Sequence, residues 1–254
     1  MCFDDDARPP VPPMAGGAVD GERLRLTSRD GATFTAFAAR GSATPTTAAM
    51  IVLPDVRGLH RYYQELAMRF AEAGIDAIAI DYFGRTATGD DRSDGFPYME
   101  HVARVEYPSL RADIETAVTH LRAAGAVRIF SVGFCFGGRL SLLTPTMPEA
   151  AVAGAIGFYG WPVGSGRGGV PAPADRAGDN RAPILAIFGG ADEGITPASV
   201  TAYRAALEAA GATHEIVSYP DAPHGFFDRR QPDFAEASAD AWRRILDFVL
   251  PSEA

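Results

Sequence analysis

Short, continuously apolar runs alternate with longer amphipathic segments along most of this chain. Met50-Ile51-Val52-Leu53, Ala77-Ile78-Ala79-Ile80, Val127–Val132, Val152–Phe158, Ile184–Phe188 and His214–Tyr219 have the length of strands. Between them, Tyr62–Ala73, Leu110–Ala124, the stretch from Leu140 to Pro145 or Pro148, Ala198–Ala210 and Phe234–Leu250 read as helices. Gly74, Gly125 and Gly211 stop three of these. Strands without polar alternation need cover on both faces. A mostly parallel sheet with helices on both faces supplies it. Before this pattern begins, Glu22–Thr27 and Thr33–Ala39 flank the turn residues Arg29-Asp30-Gly31, which predicts an edge hairpin.

The chain has 254 residues, and residues 21–254 are expected to form a single α/β domain. Residues 1–20, with Pro9, Pro10, Pro12, Pro13, Gly16 and Gly17, read as a disordered arm. Trp161–Arg181 is rich in Gly, Pro and Ala and reads as a long surface loop. No apolar run approaches the length that spans a bilayer, so no membrane partner is expected. The start, Met1-Cys2-Phe3-Asp4-Asp5-Asp6, lacks the positive and apolar regions of a secretory signal, and a cytoplasmic location is expected. A net charge of −9 disfavours nucleic acid as a partner. Nothing in the sequence sets an oligomeric state.

In open α/β sheets, ligands bind beyond the carboxyl ends of the strands. Those ends carry Asp55, Asp81, Cys135, Asp192 and His224. An isolated cysteine is most often a small buried apolar residue. Cys135, however, lies in Gly133-Phe134-Cys135-Phe136-Gly137-Gly138, after a strand and before a helix. This is the setting of a nucleophile elbow, with Cys where Ser is commoner. The turn is tight, and a Cβ at either flank would crowd helix against strand. The helix N-terminus behind the sulfur favours thiolate. Chain order then requires an acid and a histidine. Asp192, in Gly189-Gly190-Ala191-Asp192, is the candidate acid, and His224, in Asp221-Ala222-Pro223-His224-Gly225-Phe226, the candidate base. An oxyanion would be held by the N–H of Phe136 and, by position in the early loop Leu53–Gly58, that of Val56. The histidines have no metal-ligand spacing and the glycines no dinucleotide or phosphate-loop spacing, so neither metal nor cofactor is expected.

Taken together, these motifs resemble the dienelactone hydrolases (carboxymethylenebutenolidases) of the α/β-hydrolase superfamily. The resemblance rests on Leu53–Gly58, Asp81-Tyr82-Phe83-Gly84-Arg85, Gly133–Gly138, Gly189–Asp192 and Pro223-His224-Gly225-Phe226, and runs over roughly residues 20 to 250. It implies an α/β-hydrolase fold and a Cys135–His224–Asp192 triad that opens an enol-lactone through an acyl-cysteine. It also implies an acidic residue in the first loop that helps generate the thiolate. Glutamate is usual there, and Asp55 stands here, one methylene shorter. Two arginines clamp the substrate carboxylate in such enzymes. Arg85 matches one; the other position holds Asp228, followed by Arg229 and Arg230. Either Arg229 substitutes from one residue away, or the substrate differs.

The leading expectation is a hydrolase of a small ester or lactone. A broad carboxylesterase acting on neutral esters is an alternative. So is a non-catalytic small-molecule binding protein on the same scaffold. A thiol redox sensor ranks last, because no resolving cysteine lies near Cys135.

Overall fold

A computed structural model describes residues 3–14, 19–41 and 47–250. Cys2, Gly16 and Gly17 lie outside the described residues. Eight strands form one sheet in the order β1-β2-β4-β3-β5-β6-β7-β8. β1 (Val19–Thr27) and β2 (Thr33–Gly41) are the expected hairpin, and β2 runs antiparallel to its next neighbour, β4 (Asp76–Ile80). From β4 onward all pairings are parallel: β3 (Ala48–Leu53), β5 (Arg128–Phe134), β6 (Gly154–Phe158), β7 (Ile184–Gly189) and β8 (His214–Tyr219). Every residue of β3, β6 and β7 is buried, which accounts for their unbroken apolar runs.

Helices cover both faces. α1 (Arg61–Glu72), α5 (Pro197–Ala209) and α6 (Ala235–Val249) contribute Tyr62, Phe70, Tyr203, Leu207 and Ile245 to one buried cluster. α3 (Tyr107–Ala123) and α4 (Phe136–Leu143) supply Ile114, Val118, Leu140 and Leu143 to the other. A short helix that sequence patterning did not anticipate, α2 (Tyr98–Val102), is too brief to show helical periodicity. Among the described residues no helix is long and apolar enough to cross a membrane.

Two segments differ from expectation. Phe3–Arg8, read as part of a disordered arm, packs on the body: Phe3 and Ala7 are buried and Arg8 is tied by a main-chain hydrogen bond to Asp228, while residues 12–14 are exposed. Proline density set that expectation, and one buried aromatic ring outweighed it. Trp161–Arg181 is not a plain surface loop either. It holds two short 3-10 turns, Arg167–Gly169 and Ala174–Asp179, and buries Val170, Ala172 and Ala177.

The parallel register aligns the strand ends. Leu53 lies opposite Gly133, Phe134 opposite Phe158, and Gly189 opposite Tyr219. The loops leaving these ends therefore open on one side of the sheet, and they carry Val56, Cys135, Tyr159, Asp192 and His224.

Candidate active site

Cys135 occupies the turn between β5 and α4 with φ 56° and ψ −112°. A non-glycine residue held there stores about 1–3 kcal/mol of backbone strain. The surroundings enforce it. The Cys135 N–H donates to the Phe158 carbonyl of β6 at 2.9 Å, and its carbonyl accepts the Arg139 N–H at 3.0 Å, starting α4. A Cβ at Gly133 would overlap the Gly137 carbonyl, and one at Gly137 would overlap the Leu53 carbonyl. The flanking glycines thus let helix, elbow and β3 approach closely, in line with the turn sterics expected of the motif. Cys135 is buried, and Phe136 opens α4 as its first residue, where a helix leaves its N–H without an internal partner.

The loops after β7 and β8 bring Asp192 and His224 to this elbow. His224 Nδ1 lies 2.6 Å from Asp192 Oδ2. The other carboxylate oxygen, Oδ1, accepts the N–H groups of Gly194 at 2.8 Å and Ile195 at 3.2 Å. Burial pushes the Asp192 carboxyl up. The hydrogen bonds from His224, Gly194 and Ile195 push it down further, so it lies below its ordinary value. For His224, burial opposes protonation, but hydrogen bonds to Asp192 and Cys135 and the charges on both raise it to about 9. The imidazole lies between a carboxylate and the sulfur, and both favour its protonated form. Its ring is held between Tyr159 and Trp161, each 4.9 Å away between centroids. Trp161 is itself fixed by its Nε1 donating to the Gly194 carbonyl at 3.0 Å, which ties the wall of the site to the Asp192 loop.

Above the elbow is a cavity of about 450 Å³, a size that suits a small organic ligand. Val56 and Phe136 line it beside Cys135, with Tyr98 and Met99 of α2 and Trp161, Ser165, Gly166 and Arg167 of the long loop. Arg139 also reaches it, yet its guanidinium is already engaged. It donates to the carbonyls of Pro171, Trp161, Val163, Gly164 and Val170 at 2.6–3.4 Å. One buried arginine therefore folds the loop over the site. Arg167 stands on that loop, and among the described residues its guanidinium meets no carboxylate.

The early loop is braced from below. Asp55 is fully buried; its Oδ1 accepts the Arg57 N–H at 2.9 Å, and both oxygens lie 3.3 Å from Arg57 Nε. The Tyr63 hydroxyl accepts the Asp55 N–H at 2.9 Å, and the Tyr82 hydroxyl donates to the Pro54 carbonyl at 2.9 Å.

Both expected clamp arginines lie elsewhere. Arg85 Nη1 and Nη2 bind the buried Asp113 of α3 at 2.6 and 2.8 Å, while Nε and Nη2 bind Asp30 at 3.0 and 2.9 Å. A fully desolvated carboxylate claims the planar fork, and Arg85 does not line the cavity that holds Cys135. Arg229 is exposed and gives its main-chain N–H to the Arg8 carbonyl. Asp228, expected to repel a ligand carboxylate, is buried and accepts the N–H groups of Arg8 at 2.9 Å and Arg230 at 3.0 Å. Sequence patterning did not reveal Tyr98, Met99, Trp161, Arg139 and Arg167. One signal was present: Arg139 is the only charged residue of the otherwise apolar and small Phe136–Leu143 helix, and a buried charge needs partners.

A strained elbow after a parallel strand, with an acid and then a histidine on the loops after the last two strands, defines an α/β hydrolase. Residues 34–251 match the model of the dienelactone hydrolase family. This chain belongs to that family and is a hydrolase acting on esters or lactones. A protein of Methylorubrum extorquens provisionally named a carboxymethylenebutenolidase is 31% identical over 242 residues, spanning 92% of this chain and 81% of its own. An Escherichia coli protein of the same provisional name is 35% identical over 204 residues, 78% of this chain and 75% of its own. The crystal structure of a Klebsiella pneumoniae protein provisionally named a dienelactone hydrolase superposes with a TM-score of 0.82 at 29% identity, covering 92% of this chain and 99% of that one.

Proposed function

We propose that this hydrolase opens a small ester or enol-lactone through an acyl-cysteine on Cys135. The observation that carries the reading is the hydrogen-bonded chain Cys135–His224–Asp192, with Cys135 lining the mostly apolar cavity. The thiolate attacks the carbonyl carbon, and the carbonyl π pair moves onto oxygen. That oxyanion is held by the Val56 and Phe136 N–H groups. Collapse expels the ring or alcohol oxygen, which takes the proton from His224 Nε2. Neutral His224 then takes a proton from water as the water attacks the thioester. The second collapse releases the carboxylic acid and restores the thiolate. Asp192 keeps its own charge throughout and stabilises the imidazolium.

Asp55 is assigned to bracing the Val56 loop through Arg57. The protonated His224 beside the sulfur already favours thiolate, so that step makes no demand on Asp55. On the wall, Tyr98, Phe136 and Trp161 suit a flat, unsaturated acyl group. A substrate carboxylate is met by Arg167, the lining arginine not engaged in folding the loop, and neither by Arg85 nor by Arg229. The test is the mass of Cys135 peptides after rapid quenching with an enol-lactone carboxylic acid and, separately, with its methyl ester. An acyl mass on Cys135 during turnover is expected. Full turnover with Cys135 unmodified at every quench time, and undiminished in Cys135→Ala, overturns the mechanism.

A further inference from the structure

The N-terminal segment reaches both halves of the catalytic centre. Phe3, 2% exposed, stacks on Tyr62 with 4.2 Å between centroids, and meets Tyr63, Phe134 and Tyr159 at 6.4, 6.1 and 6.3 Å. Each neighbour leads to a reacting group. Tyr63 holds the Asp55 N–H, next to Val56. Tyr62 donates its hydroxyl to the Phe227 carbonyl at 2.6 Å, on the His224 loop. Phe134 precedes Cys135, and Tyr159 packs on the His224 ring.

The polar contacts of the segment divide the same way. On the early loop, Arg57 Nη1 lies 3.7 Å from the Asp5 carboxylate and donates to the Asp4 carbonyl at 3.4 Å, while its Nε holds Asp55. On the histidine loop, Arg8 donates its N–H to Asp228, Arg229 donates its N–H to the Arg8 carbonyl at 3.1 Å, and Arg230 pairs with Asp6. Chain termini ordinarily fray unless something ties them down. Here both ends of Phe3–Arg8 are tied, one to the loop carrying Val56 and the other to the loop carrying His224.

We infer that Phe3–Arg8 is a positioning element that sets the oxyanion loop and the histidine loop relative to Cys135, with Phe3 and Asp5 as its principal positioning residues. It touches no substrate. The cavity wall of Tyr98, Met99, Trp161 and Arg167 belongs to other segments, so the element acts on the chemical step rather than on binding. The inference rests on the catalytic roles proposed above.

The experiment follows acylation of Cys135 in the full chain by a 4-nitrophenyl ester, using the nitrophenolate burst and the mass of the Cys135 peptide, with kcat, KM and Tm measured beside them. Phe3→Ala is expected to slow acylation and kcat between about tenfold and a hundredfold, the scale of a misplacement near an ångström, with KM within about twofold of wild type. Phe3→Leu, which refills the site, recovers most of the rate. Asp5→Asn, at a half-exposed carboxylate that leaves the core intact, lowers kcat by about threefold with KM unchanged, as an exposed ion pair's modest strength implies. Wild-type acylation rates in both Phe3→Ala and Asp5→Asn overturn the inference, as does a loss in KM alone. If Phe3→Ala does not fold, an unchanged kcat in Asp5→Asn is sufficient to overturn it. Failure of the underlying mechanism is distinct: wild type then shows no Cys135 adduct at all.

Discussion

The floor and the wall of the cavity are built by different rules. The floor, Cys135 and the His224–Asp192 pair hydrogen-bonded to it, sits on the loops after β5, β8 and β7 of the parallel sheet, and main-chain hydrogen bonds fix the elbow and the acid. Most of the wall is a long segment with little regular structure, held by the side chain of Arg139 and by Trp161 against Gly194, and Tyr98 and Met99 of α2 complete it. A floor held by main-chain hydrogen bonds depends little on the side chains around it, apart from its glycines and its proposed reacting groups. A wall hung on one guanidinium depends on a single side chain for its place over the site.

Substitution on the floor has the largest expected effect. Cys135→Ala should remove ester hydrolysis by about 10⁴-fold or more, with circular dichroism and Tm near wild type. Residual turnover close to wild type in the folded variant would erase the distinction between floor and wall. His224→Ala should approach the same loss. Asp192→Ala should cost on the order of 10²–10⁴-fold, and the double variants should fall short of additivity because the three act as one unit.

The charge state of the floor supplies the next test. His224 titrates at about 9, against an ordinary 6.5. Its pairing therefore contributes stability in full below about 6.5 and loses it as pH rises through about 9. The pH profile of kcat/KM should show an alkaline limb near 9, where the imidazolium that protonates the leaving oxygen is lost. Asp192→Asn should move that limb to lower pH. A limb that stays in place would detach Asp192 from the histidine.

On the wall, Arg139→Met should raise KM about tenfold or more while leaving acylation at saturating ester within a few-fold of wild type. It should also destabilise the fold by about 1–3 kcal/mol or more, because buried carbonyls lose their donor. Tm read by calorimetry beside steady-state kinetics separates the two effects. A large loss of kcat at saturation would show the wall shaping the floor.

Arg167→Gln carries the smallest expected change. The preference for an anionic lactone over its methyl ester should shrink about tenfold, in keeping with about 1.5 kcal/mol for a charged hydrogen bond at a partly open site. Arg85→Gln should leave that preference alone and lower Tm instead, because it strands the buried Asp113. Loss of anion preference in Arg85→Gln with none in Arg167→Gln would reverse the assignment.

Legibility in the sequence follows the same division. The elbow was readable because its constraints are local: a strand-to-helix turn this tight has room only for glycine on each side of the strained residue. Asp192 and His224 were readable because parallel strands place successive loops in a predictable order. Arg85 and Asp228 were misjudged because the matching motif positions reveal nothing of which carboxylate or amide lies nearest. Asp113 is far from Arg85 along the chain, and Arg8 farther still from Asp228.

The alternation of apolar strands and amphipathic helices by itself determined a mostly parallel sheet, and the glycine-flanked Cys135 with the later Asp192 and His224 determined where the proposed reacting groups would meet. These are properties of periodicity, turn sterics and chain order, which nearby residues encode. Tertiary structure decided the rest. It turned Phe3 from a residue of a proline-rich arm into a buried ring, committed Arg85 to Asp113 and Arg139 to five carbonyls, and left Arg167 at the cavity. The physical reason is desolvation: a long side chain finds its partners only after the fold has removed water from some groups and left others exposed, and no local pattern records which.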